Sequence, residues 1–156
     1  MLDCGANGNF WVEYALGCLP TDVLDEWEDK LAFVCMAESD GRRLTPAFRG
    51  DREIIVLSER IVPRAHVAED HPDVRYFTFA VLHEIAHAIR NHRPPNEITQ
   101  EEDAVQEEEA YTLAFRWYND YLRMNHPDLP PFTEEELRHA QARTRAAMLA
   151  ALGRNE

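Results

Sequence analysis

Val81-Leu82-His83-Glu84-Ile85-Ala86-His87-Ala88-Ile89-Arg90 is the stretch from which the rest of this 156-residue chain is read. Around it Val74, Phe77, Val81, Leu82, Ile85, Ala88 and Ile89 recur at helical spacing, and Ala86 and Ala88 are strong helix formers. Asp70 or His71 ahead of Pro72 provides a helix start, and Pro94-Pro95 a stop. The pattern predicts one helix between those marks. On it His83 and His87, four residues apart, stand one above the other on a single face. Nearly every other side is apolar, so the helix is predicted to be buried. Two imidazoles and a carboxylate in such a setting need polar partners or a metal ion.

The His-Glu-x-x-His spacing favours the metal. Two neutral imidazole nitrogens one turn apart can take two corners of a zinc tetrahedron. Glu84, beside the first ligand, is placed to act on a metal-bound water instead of on the metal. With 7 His and 18 Glu in the chain, about 0.04 such motifs are expected by chance. An accidental motif on a metal-free helical domain is therefore the reading to beat.

A third ligand is sought on the next helix. Thr99-Gln100-Glu101-Glu102 is a capping box, with Thr at N-cap and Glu at N3, and the helix is predicted from Asp103 to about Met124. Within the acidic run Glu101 to Glu109, Glu107 lies on the stripe continued by Ala110 and Ala114. Those small residues permit close approach to the metal helix. Glu108 and Glu109 are rotated from Glu107 by about 100° and about 200° and are predicted to face elsewhere. The alternative for the whole run is a solvated face favoured by the helix dipole.

His83-Glu84-x-x-His87, then nineteen residues, then Glu107-x-x-Ala110, resembles the gluzincin class of metallopeptidases. Glu107-Glu108-Glu109-Ala110-Tyr111-Thr112-Leu113-Ala114 is similar to the Glu-x-x-Ala-Asn/Asp-x-Phe-Ala segment of small ImmA/IrrE-like bacterial metallopeptidases. Leu19-Pro20 ahead of a short helix and strand resembles that family's opening. The resemblance spans about residues 19 to 124 and is specific over 83 to 114. It implies that Glu107 is the third zinc ligand and that Glu84 is the general base. Two positions depart from the pattern. Tyr111 stands where gluzincins carry Asp or Asn to orient a ligand His, and the residues after His87 are more polar than the family's continuation. A metzincin fits less well, because Arg90 stands where Gly is needed and His92 follows His87 by five residues instead of six.

The chain is of single-domain length, with ordinary hydrophobic content of 45%. Its net charge of −13 argues against nucleic acid and against anionic membrane surfaces. Met1-Leu2-Asp3-Cys4-Gly5 has no signal-peptide character, and no apolar run approaches a membrane span. Cys4, Cys18 and Cys35 make neither a zinc pattern nor a disulfide framework, so a cytoplasmic location is expected.

Along the chain, Asn7-Gly8-Asn9 reads as a turn or loose terminus, and residues 10–16 as a short helix or strand. A helix is predicted over Thr21 to Lys30, capped by Thr21 or Asp22, with Val23, Leu24 and Trp27 inward. Strands are predicted over 31–36, ended by Ser39-Asp40-Gly41, and over 51–58, with Arg60 to Pro63 either continuing it or starting anew. The 52–58 segment or the stretch between 42 and 50 is the candidate edge for pairing with an extended substrate. Thr133-x-x-Glu136 is a second capping box, opening a helix to about Leu152 with a thin stripe of Leu137, Ala140, Thr144, Met148 and Leu152.

The expected fold is α+β and zincin-like, with the metal helix and the glutamate helix on one face of a small twisted sheet. The expected function is a zinc-dependent peptidase acting on a peptide or protein, with His83, His87 and Glu107 as ligands and Glu84 as base. An oxyanion needs a further donor, for which Tyr111, Tyr118 and His92 are candidates. The alternative is a non-catalytic zinc-binding interaction domain.

Overall fold

The computed structural model describes residues 2–36, 42–43 and 52–153. They form an α+β arrangement in the order β1 (Leu2–Asp3), α1 (Gly5–Leu16), α2 (Thr21–Trp27), β2 (Leu31–Met36), β3 (Arg42–Arg43), β4 (Glu53–Ser58), α3 (Pro72–Ile89), α4 (Gln100–Asn125) and α5 (Glu134–Ala151). The sheet order is β1-β2-β4-β3. β2 runs parallel to both β1 and β4, paired with β4 from Leu31↔Glu53 to Met36↔Ser58, while β3 is antiparallel to β4. Ile55, Val56 and Leu57 are buried, as continuous apolar runs in parallel strands are.

Among the described residues β4 is an inner strand, hydrogen-bonded to β2 on one side and β3 on the other. The 52–58 segment is thus not the open edge that the sequence suggested. β3 lies at the edge and belongs to the other candidate stretch; residues 44–50 and the Ser39-Asp40-Gly41 turn lie outside the described residues. After Ser58 the chain does not continue as a strand but turns through a 3-10 segment, Glu59–Ile61.

α3 is the hub of the molecule. It packs against α1, α4 and α5 and against β3 and β4. Its start is the predicted one: the His71 side chain accepts from the Asp73 amide at 3.1 Å, with Pro72 opening the helix. Val74, Phe77, Val81, Leu82 and Ile85 are fully buried. α4 begins at a complete capping box, in which Thr99 Oγ1 accepts from the Glu102 amide and Glu102 Oε2 accepts from the Thr99 amide. Ala110 and Ala114 are fully buried where α4 meets α3.

The N-terminal region departs from the sequence reading. Asn7-Gly8-Asn9 is not a loose turn but lies within the first turns of α1. Asn9 Oδ1 accepts from the Cys4 amide, and the Asn7 side chain donates to the Pro63 carbonyl, so both asparagines anchor a helix start that has no side-chain cap of its own. Gly8 is required by space: a Cβ there would stand 2.7 Å from Cys4 Cβ. α2 is shorter than predicted, and Pro20, not Thr21 or Asp22, occupies its N-cap. Val23, Leu24 and Trp27 do pack on the core.

The second predicted capping box is only half made. Thr133 Oγ1 accepts from the Glu136 amide at 3.2 Å, but the Glu136 carboxylate is taken by Arg75 of α3. The guanidinium donates through Nε at 2.6 Å and Nη2 at 2.9 Å, and Nη2 also donates to the Pro130 carbonyl at 3.0 Å. Arg75 is 4% exposed, so this fork ties α5 to the buried face of α3. Glu136→Ala strands that cation. It is expected to lower the unfolding free energy by about 2 kcal/mol, less than for a fully dry pair because the Glu136 side chain is 30% exposed. Urea unfolding measures it, and Arg75→Met combined with Glu136→Leu should recover much of the loss.

Candidate metal centre

One turn of α3 carries His83 and His87, and one turn of α4 carries Glu107. The alanines at 110 and 114 leave no bulk between the helices, so the three side chains meet. His87 Nε2 lies 3.1 Å from His83 Nε2 and 3.0 Å from Glu107 Oε1, and His83 Nε2 lies 3.4 Å from Glu107 Oε2. With zinc bonds of about 2.0–2.2 Å, the corners of a tetrahedron are about 3.3–3.6 Å apart. The three groups are therefore at ligand spacing with little movement needed. They form the one cluster of metal-ligating side chains of this kind among the described residues.

Proton accounting points the same way. If each imidazole donates its Nε2 proton to the carboxylate, the two Nε2–H groups face each other with no acceptor between them. If instead one imidazole donates to the other, one nitrogen–oxygen contact is left as lone pair against lone pair. No arrangement of protons on the two rings satisfies all three contacts, whereas a cation does, because every lone pair can point to it. The hydrogen-bonding contacts with His83 and His87 hold the Glu107 carboxyl far below the usual range, against the opposing effect of burial.

The two histidines are held differently. His83 is gripped by rings: Tyr111 lies on it at 4.5 Å between centroids and Phe79 stacks on it at 6.2 Å. Its Nδ1 is buried with no hydrogen-bond partner among the described residues. Tyr111, standing in place of a polar orienting residue, thus orients by packing. His87 is held by hydrogen bonds. His87 Nδ1 meets His92 Nδ1 at 2.9 Å, and His92 Nε2 meets Glu109 Oε2 at 2.9 Å. Glu108 is exposed on α4 and Glu109 does not reach the cluster, as its rotation predicts. Glu109 is nevertheless tied to it through His92, which the sequence reading missed. The available signal was Gln106 and Glu109 at i, i+3, one face closing over the polar turn at 90–93, where Gln106 holds both backbone groups of Arg93.

A cleft of about 560 Å³ opens beside the cluster, between α3, α4 and α5. His83, Glu84, Glu107 and Tyr111 line one side. Arg145 and Leu149 from α5 line the other, so the thin stripe of that helix covers the core at Leu137 and Ala140 and then walls the cleft. Of the three candidate oxyanion donors, only Tyr111 is in the cleft wall. Its hydroxyl lies 3.5 Å from Gln141 Nε2, and burial raises its phenol, keeping the proton on. Tyr118 is fully buried against Phe132, and His92 sits behind His87.

Compared with known protein families, curated proteins and solved structures, the chain matches none. The geometry alone yields a test of which glutamate closes the site. In chelator-competition titrations, Glu107→Ala is expected to weaken zinc binding by more than about 100-fold, beyond the about 10–100-fold usual for outer-shell changes. Glu108→Ala should leave it at the wild-type value.

Proposed function

We propose that this chain is a zinc-dependent peptidase, or peptidase-like protein, of minimal gluzincin type on a zincin-like fold, acting on a peptide or protein substrate in the cytoplasm. The observation that carries the reading is the meeting of His83, His87 and Glu107 at the wall of a cleft that also holds Glu84 and Tyr111. A zinc ion held by the three residues would lower the pKa of a bound water towards ~7 and polarise a carbonyl. Glu84, next to His83 and lining the same cleft, takes the proton of the attacking water and hands it to the leaving amine. Tyr111 donates its hydroxyl hydrogen bond to the carbonyl oxygen as that oxygen gathers charge. β3, at the sheet edge and packed against α3, offers main-chain groups for an extended substrate.

The non-catalytic reading draws support from His83, which lacks a polar orienting partner on Nδ1. It gives no use to Glu84. Elemental analysis decides between metal and no metal: about one zinc per chain is expected, and failure to take up zinc after chelation rejects both readings. Glu84→Gln then separates them. It should retain zinc and fold while hydrolysis of a denatured protein substrate falls by about 10²–10⁴-fold. Undiminished hydrolysis in that variant would sink the mechanism, and zinc-loaded wild type without hydrolysis would favour the non-catalytic domain.

A further inference from the structure

Cys4, Cys18 and Cys35 are widely spaced in the chain, and the fold brings two of them together. β1 and β2 run parallel, with Leu2 opposite Phe33 and Asp3 opposite Val34. One residue further along that register Cys4 stands opposite Cys35, and facing residues of neighbouring strands point to the same side of the sheet. Strands about 4.8 Å apart hold the two backbones within the Cα separation of about 4.4–6.8 Å that a disulfide needs. The two thiols already share a hydrogen bond. Gly8 of α1 lies against both: a Cβ there would stand 2.7 Å from Cys4 Cβ and 3.7 Å from Cys35 Sγ. Any larger residue at position 8 would crowd the pair.

The two sulfurs are not equivalent. Cys4 is the N-cap of α1, so it stands at the positive end of a 12-residue helix. The hydrogen bond with Cys35 lowers its thiol below the usual range, against burial and the carboxylates of Asp3 and Glu59. Cys35 is pushed the other way, by the same hydrogen bond and then by burial. Cys4 is therefore the sulfur that gives up its proton, and Cys35 the donor beside it. Both are partly exposed, within reach of a small oxidant. Cys18 is only 3% exposed, its Sγ lies 3.4 Å from the Tyr14 carbonyl, and burial raises its thiol. Neither Cys4 nor Cys35 belongs to the metal cluster or lines the cleft beside it.

We propose that Cys4 and Cys35 form a redox-active dithiol, which a hydroperoxide converts into a disulfide joining the β1–α1 corner to β2. The Cys4 thiolate attacks a peroxide oxygen. A sulfur–oxygen bond forms, the oxygen–oxygen bond breaks, and the departing oxyanion takes up a proton, leaving a sulfenic acid on Cys4. The Cys35 sulfur then displaces the hydroxyl from the Cys4 sulfur. Its own proton leaves with that hydroxyl as water, and the sulfur–sulfur bond closes. Two thiols are oxidised, and one hydroperoxide is reduced to an alcohol and water. In a reducing compartment such a bond is transient and registers oxidant. It would tie down a strand of two residues and the start of α1, the helix that packs on α3. It would also close the loop from residue 4 to residue 35 in the unfolded chain, which favours the folded state.

Near-stoichiometric hydrogen peroxide on the whole chain, followed by thiol counting in denaturant and peptide mapping without reductant, tests the pair. Free thiols are expected to fall from three to one, with Cys4 and Cys35 in one cross-linked peptide pair and Cys18 unmodified. The oxidised protein should melt about 5–10 °C higher, and dithiothreitol should reverse the shift. In Cys35→Ser, dimedone should trap a sulfenic acid on Cys4. In Cys4→Ser, Cys35 should stay a thiol at the same dose. The proposal is overturned if wild type keeps all three thiols, or if the cross-link involves Cys18 or a second chain. It is equally overturned if the disulfide lowers the melting temperature, since the strands would then have to move to make it. Mapping of the wild type decides the matter even if neither serine variant folds.

Discussion

Three polar side chains turned towards one another inside an otherwise apolar helix packing set the terms for the whole molecule. Burying an imidazole or a carboxylate alone costs several kcal/mol, on the order of what a domain of this size holds in reserve. Here the three groups approach to 3.0–3.4 Å, and the small buried alanines at 110 and 114 of α4 suit a close packing of that helix on α3. Larger residues at those two positions would push the helices apart and leave the cluster as three separate, half-buried polar groups.

The rest of the fold maintains α3 in the position that this contact demands. β4, paired with β2, supplies an apolar support, α1 covers another side, and the Arg75–Glu136 fork brings α5 across to complete the cleft wall. The two histidines then differ in how they are oriented. His83 is fixed by the faces of Phe79 and Tyr111, which confer orientation without a hydrogen bond; His87 is fixed through Nδ1 by His92. A ring held by packing is steady but electronically unassisted.

Legibility varied with how local the deciding physics was. The starts of α3 and α4 could be read because their caps and apolar spacing act within a few residues: His71-Pro72 and the Thr99/Glu102 box are where the sequence put them, whereas α3 stops at Ile89, ahead of Pro94-Pro95, with Asn91 left-handed just beyond its end. Strand 31–36 was equally plain. α1 was not, because Asn7-Gly8-Asn9 has turn composition and becomes helical through bonds to Cys4 and Pro63 that no local pattern encodes. The same holds for Glu136, whose capping-box spacing is sound but whose carboxylate finds a buried guanidinium a stronger partner than the Thr133 amide.

By itself, then, the sequence determined the α+β class, the helix that carries His83 and His87, and Glu107 as the acidic residue of α4 that meets those two histidines, since helical periodicity maps spacing onto faces. Tertiary structure alone decided that, among the described residues, β4 is an inner strand and β3 an edge. It also decided that Tyr111 enters the cleft while Tyr118 does not, and that His92 stands between His87 and Glu109. Those outcomes depend on which elements become neighbours, and a neighbour's identity is settled by packing between segments far apart in the chain, for which no residue spacing carries a signal.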